Sequence, residues 1–113
     1  MRLRADFWVA AYLRRCNGAG ASAVLQRRGD AEAGAIFILI DCLDGHVALL
    51  GPAPPGEQAD GIERVFARQH REPVIDAVEA QARLAKAIAV DPDLWVVAVE
   101  DRQGRNFVDL AAN

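Results

Sequence analysis

Apolar positions recur at helical spacing near the start of the chain. Trp8, Val9, Tyr12, Leu13 and Cys16 fall on one face of a helix running from about Phe7 to Asn17, with Asp6, Ala10, Arg14 and Asn17 opposite. Asp6 is placed to cap that helix, and Gly18 and Gly20 end it. The spacing then changes to that of strands. Ser22 to Arg28 reads as the first strand, and a polar connection from Arg28-Gly29-Asp30 to Gly34 follows. In the second strand, Ala35 to Cys42, Ile36, Ile38 and Ile40 share one face while Phe37 and Leu39 take the other. Apolar residues on both faces predict a central strand covered on each side. Asp44-Gly45 is a two-residue hairpin signal, which makes His46 to Leu50 the antiparallel partner.

Gly51 to Gly61 is rich in Pro and Gly and reads as a loop, too short to separate two domains. Ile62 to His70 fits either a strand, with Arg64, Phe66 and Arg68 on one face, or a helix that aligns Arg64, Arg68 and Arg71. Val65, Phe66 and the following Pro73 favour the strand. A second helix is expected from Pro73 to about Val90. Its buried stripe would be Val74, Ile75, Val78, Ala82, Ala85, Ile88 and Ala89, and its wet face Asp76, Glu79, Arg83 and Lys86. Glu79 and Arg83 stand four apart in the favourable order. Asp91-Pro92-Asp93 stops the helix, and Leu94 to Glu100 is a strand apolar on both sides. Asp101 to Gly104 is a turn, after which Asn106 to Leu110 returns as a short edge strand. The expected architecture is a single α+β domain over residues 1–113 with two layers. It has two helices and a mainly antiparallel sheet of four to five strands, in the order α-β-β-β-(β)-α-β-(β).

Composition bounds the picture. A chain of 113 residues with 52% hydrophobic and 26% charged positions is neither disordered nor a disulfide scaffold. Its uncharged apolar runs, such as Ala35 to Ile40, are far below the roughly 20 residues that span a bilayer, so no membrane partner is expected. Met1 to Cys16 carries Arg2, Arg4, Asp6 and the Arg14-Arg15 pair without a long apolar segment, which leads us to expect a cytoplasmic protein with no secretory leader. Cys16 and Cys42 stand apart from any other Cys or His at metal spacing, so both read as reduced, packed thiols.

Two stretches are distinctive: Arg27-Arg28-Gly29-Asp30-Ala31-Glu32-Ala33-Gly34-Ala35-Ile36, and Asp91-Pro92-Asp93-Leu94-Trp95-Val96-Val97-Ala98-Val99-Glu100-Asp101-Arg102-Gln103-Gly104-Arg105. With Phe7-Trp8 and Leu13-Arg14-Arg15-Cys16, they resemble a small uncharacterised bacterial family, domain of unknown function 1491, found chiefly in alphaproteobacteria. Ala98 stands where the family pattern has an acid, which weakens any acidic cluster on that strand. The resemblance implies a short cytoplasmic bacterial protein. It brings no activity, and no catalytic residue is carried over from it.

The element order matches the core of restriction-endonuclease-like nucleases, and Asp41 supplies one acid. His46 to Leu50 offers neither the carboxylate nor the lysine that metal-assisted phosphodiester cleavage needs, and the only lysine is Lys86. Asp91 and Asp93 lie at one end of a strand and Glu100 and Asp101 at the other, over 20 Å apart at about 3.3 Å per residue, so they read as turn formers. Arg28-Gly29-Asp30 reads as a turn, with Gly supplying positive φ and Asp local hydrogen bonds. His46 and His70 have no matched nucleophile or acid in sequence, and no glycine-rich phosphate loop is present. No cofactor, metal site or catalytic residue is therefore expected.

What remains is a surface. Arg14, Arg15, Arg27, Arg28, Arg64 and Arg68 form the candidate binding surface, to which Trp95, read first as a core anchor, is added as an interface anchor. The expected function is that of a non-catalytic accessory domain that binds a protein partner or its own copy. A net charge of −3 and few interleaved aromatics argue against nucleic acid. The alternatives are a nucleic-acid-associated module with nuclease-like order, and a small-molecule enzyme whose site is invisible in sequence.

Overall fold

The structure, a computed structural model, describes residues 3–57 and 64–111. The first helix, α1, spans Ala5–Gly18, slightly longer than its apolar spacing predicts. Asp6 does not cap it. Asp6 lies in the first turn, where its carboxylate accepts from Phe7 N at 2.8 Å and pairs with Arg4. The leading amides of Ala5 and Asp6 donate instead to the carbonyls of Glu32 and Ala31, 3.1 and 3.0 Å away. A distant loop therefore does what a capping side chain usually does. The far end closes as expected: Gly20, at φ +93°, lets Ala21 N reach Cys16 O and Gly20 N reach Asn17 O.

Seven strands follow among the described residues: β1 (Ser22–Arg27), β2 (Ile36–Asp41), β3 (His46–Pro52), β4 (Val65–Arg68), β5 (Ile75–Asp76), β6 (Trp95–Glu100) and β7 (Asp109–Leu110). They form one sheet in the order β1-β6-β2-β3-β4-β7, with β5 added beside the start of β3. The strand count exceeds the expected four to five: β5 is a two-residue pairing too short to leave a period, and β7 is the last two residues of the expected edge strand. The sheet is mainly antiparallel, but β6 runs parallel to β2 and β7 parallel to β4. The expected edge strand over Asn106 to Leu110 forms at Asp109–Leu110. It crosses the sheet and pairs with β4.

β2 is central, between β6 and β3, as its two apolar faces require. The hairpin to β3 is longer than its Asp44-Gly45 signal: Cys42 N bonds His46 O, and Leu43 and Gly45 both take positive φ. Gly51 and Pro52 belong to β3 rather than to the loop after it, and Pro55–Glu57 is a short 3₁₀ turn. Residues 58–61 of that loop, and Ile62 at the start of the next segment, lie outside the described residues. The preference for a strand before Pro73 holds over Val65–Arg68, where Phe66 packs into the core.

The second helix, α2, spans Ala77–Val90. It starts later than expected because Ile75 and Asp76 pair with Val47 and His46. Asp76 is its cap, accepting from Glu79 N at 2.8 Å. The predicted stripe is displaced. Val78 is 81% exposed, and the helix buries Ala80 and Leu84, with Ala87 and Ile88 packed beside them. The Glu79–Arg83 pair forms, at 2.7 Å, and Arg83 also donates to Gln69 O.

The two helices cover opposite faces, which corrects the two-layer expectation to three layers. Val9, Tyr12 and Cys16 of α1 pack with Ile36, Ile38, Ile40, Trp95, Val97 and Val99. Ala80 and Leu84 of α2 pack with Leu39, Leu49, Leu94 and Val96. The alternation along β2 and β6 is what separates these two cores. Trp95, 1% exposed, contributes about 4–6 kcal/mol by the area an aromatic of its size buries. Among the described residues, no helix is long and apolar enough to cross a membrane.

Candidate functional site

The two distinctive stretches meet at the start of β6. Asp30 N donates to Asp93 O at 2.9 Å, the Trp95 indole Nε1 donates to Asp30 O at 2.8 Å, and Trp95 N donates to Ala35 O at 2.8 Å. Asp30 Oδ2 accepts from Glu32 N and Ala33 N, the local role expected of it. Gly29 has a different role from the one its sequence suggests. It does not take positive φ. It is required by close approach: a Cβ there would strike Asp93 O, Leu94 C at 2.6 Å and Trp95 Cδ1 at 2.6 Å. At Gly34 a Cβ would meet Asp93 O at 2.6 Å. These motif residues build the fold.

The arginines do not converge on one surface. Arg27 donates to Pro92 O at 2.7 Å, and Arg28 lies over the Trp95 ring at 5.2 Å. Arg15 and Arg64 instead share a small polar cleft beside Trp8 and Phe107, with Arg15 donating to Phe107 O and Arg64 to Leu3 O. Arg14 is exposed on the outer face of α1, and Arg68 lines a separate cleft. Trp95 cannot be a contact anchor, because it is buried in a central strand and its one polar atom is already bonded. The exposed aromatic is Phe7, at 57%, with Leu3 near it in sequence at 47% and the Arg4 guanidinium over its ring at 5.2 Å.

Sequence reasoning missed three residues. His70 is buried: Leu49 N donates to its Nε2 at 3.0 Å, and its Nδ1 meets Glu72 O at 2.7 Å. An amide donating to one nitrogen and a carbonyl at the other require the neutral ring with its proton on Nδ1. Asn17 bonds both Ala23 N and Ala23 O through its carboxamide, at 3.0 and 3.1 Å, and so stands in for a neighbouring strand at the β1 edge. Asp101, 6% exposed, holds Arg105 through both oxygens and also accepts from Arg105 N. That arginine holds the Asp101 carboxyl down at about 2. The four-residue spacing across Gly104 was the available signal.

The other acids also serve turns. Asp41 accepts from Leu43 N, Asp44 from His46 N and Asp91 from Asp93 N. No group of three or more His, Cys, Asp or Glu suited to a metal occurs among the described residues. Cys16 and Cys42 are free thiols, and burial pushes both up. The Tyr12 hydroxyl, also raised by burial, donates to Asn106 O at 2.6 Å and pins the segment that leads to β7.

This segment crosses the α1 face and leaves a cleft of about 360 Å³ between itself and the sheet. Ile40, Ala48 and Leu50 line it from β2 and β3, Gln103 and Asn106 from the crossing segment, and Arg68 from β4.

The family model described as "Protein of unknown function (DUF1491)" matches residues 3–109. The chain belongs to the DUF1491 family. A crystal structure of a DUF1491 family protein from Caulobacter crescentus is 37% identical, covering 96% of this chain and 98% of that one, with a TM-score of 0.80. An NMR structure of a Caulobacter DUF1491 protein is 36% identical over 99% of both chains, also at 0.80. A solution structure of a protein from A. tumefaciens is 36% identical, covering 88% of this chain and 86% of that one, at 0.76. No curated protein matches the chain. The DUF1491 structures share the α+β fold of this chain.

Proposed function

We propose that this DUF1491 protein is a non-catalytic accessory domain of the cytoplasm that binds another protein through the outer face of α1. The observation that carries this reading is Phe7, an aromatic 57% exposed, seven residues and thus two turns before the exposed Arg14. Exposed aromatics next to arginines make up the energetic centres of protein interfaces. The use of Asp30, Asp41, Asp91 and Asp101 in turns supports a binding role over a catalytic one.

Affinity capture from native cytoplasm, comparing the wild type with Phe7→Glu and Arg14→Glu, tests the reading. Both side chains point to solvent, so circular dichroism should show an intact fold. Capture of a specific partner should fall at least tenfold in each variant. Sedimentation at tens of micromolar identifies a second copy as the partner if the wild type is a dimer and Phe7→Glu a monomer. Equal capture by wild type and both variants would overturn the proposal.

A further inference from the structure

The cleft on the α1 face has a shape and charge that specify a ligand. β-sheet parity sets its floor. Ile40 pairs with Ala48 across β2 and β3, and Leu50 pairs with Arg68 across β3 and β4. Directly opposed residues share a face, so the Arg68 side chain leaves the sheet on the same side as Leu50. Ile40 and Leu50 are buried beneath, so the accessible apolar lining is Ala48 on the sheet with Val74 and Leu110 beside it. Among the described residues, the Arg68 guanidinium makes no hydrogen bond or ion pair, and no Asp or Glu lines the cleft. Gln103 and Asn106 supply neutral amides on the crossing side.

We propose that this cleft binds a small apolar carboxylate, with the hydrocarbon against Ala48, Val74 and Leu110 and the carboxylate on Arg68. A guanidinium without an internal partner beside an apolar lining matches the two halves of such a molecule. A volume of about 360 Å³ falls in the range of small-molecule sites. An eight-carbon fatty acid fits that space. This site is independent of the α1 outer face and shares no residue with it.

The test titrates the full chain with octanoate, octanol and octylamine, read by calorimetry and by amide chemical shifts. Octanoate should saturate one site and shift the amides of Ala48, Leu50 and Asn106. Octanol should bind about tenfold more weakly, and octylamine more weakly still. Arg68→Gln should cut octanoate affinity about tenfold while leaving octanol unchanged, and Ala48→Phe should remove both. Arg68 is exposed, so its variant keeps the test decisive even if Ala48→Phe unfolds. Absence of saturable octanoate binding would overturn the proposal, as would binding that Arg68→Gln leaves unchanged.

Discussion

At its Trp95 end, β6 is gripped by backbone. The 29–34 loop passes so close that Gly29 and Gly34 leave no space for a side chain, and carbonyls of Asp30 and Ala35 take the indole and amide protons of Trp95. At its Asp101 end the chain is turned by a side-chain pair, Asp101 with Arg105, and the segment beyond runs over the sheet without filling the space beneath it. The first arrangement tolerates no added atom, because backbone cannot rotate away from a clash. The second depends on charge, and it leaves side chains such as Arg68 unpartnered. Stability is thus concentrated at one end of the strand, and the free chemistry lies towards the other.

The sharpest way to break this contrast is Gly29→Ala. Its Cβ would meet the backbone of Asp93 and Leu94 together with the Trp95 ring, and overpacking against backbone should cost about 3 kcal/mol or more, read as a lower denaturant midpoint. Asp101→Asn addresses the other end. The folded carboxyl sits at about 2, below its ordinary 3.8. Its contribution is therefore complete above about pH 4 and lost as pH falls through about 2. The gap between wild type and Asp101→Asn in denaturation should be widest above pH 4 and should close towards pH 2. The mildest change is Arg28→Ala, which removes the cation over the Trp95 ring. About 0.5–1 kcal/mol should be lost, with the grip of Gly29 and Gly34 intact.

The longer elements were legible because each carries its own period. The Ile36, Ile38, Ile40 alternation and the Glu79–Arg83 spacing behave as read. The α2 stripe was misplaced because alanines fill several faces of that helix. Ala80 and Leu84 are buried while Ala82, Ala85 and Ala89 are exposed, and hydropathy does not separate one alanine from another. The arginines were legible as cations but not as a surface. Arg27 and Arg28 lie by the start of β6, and Arg15 sits with Arg64 by Phe107. Trp95 reads in sequence as either anchor or core, and only its position between β1 and β2 decides for the core. Phe7 was passed over because it falls beside the helix stripe, and an exposed aromatic has no periodic signature.

Periodicity along the chain settled α1, β2, β3 and β6 and that β2 and β6 are covered on both faces, while glycines marked where α1 ends. It left open which strands are neighbours, because alternation records which side a residue faces and says nothing of what lies beside it. Insertion of β6 between β1 and β2, the placing of one helix on each face and the crossing of the last segment to β4 are decided by long-range contact alone. The cleft beneath that crossing, and the guanidinium at its rim, exist only once those contacts have formed.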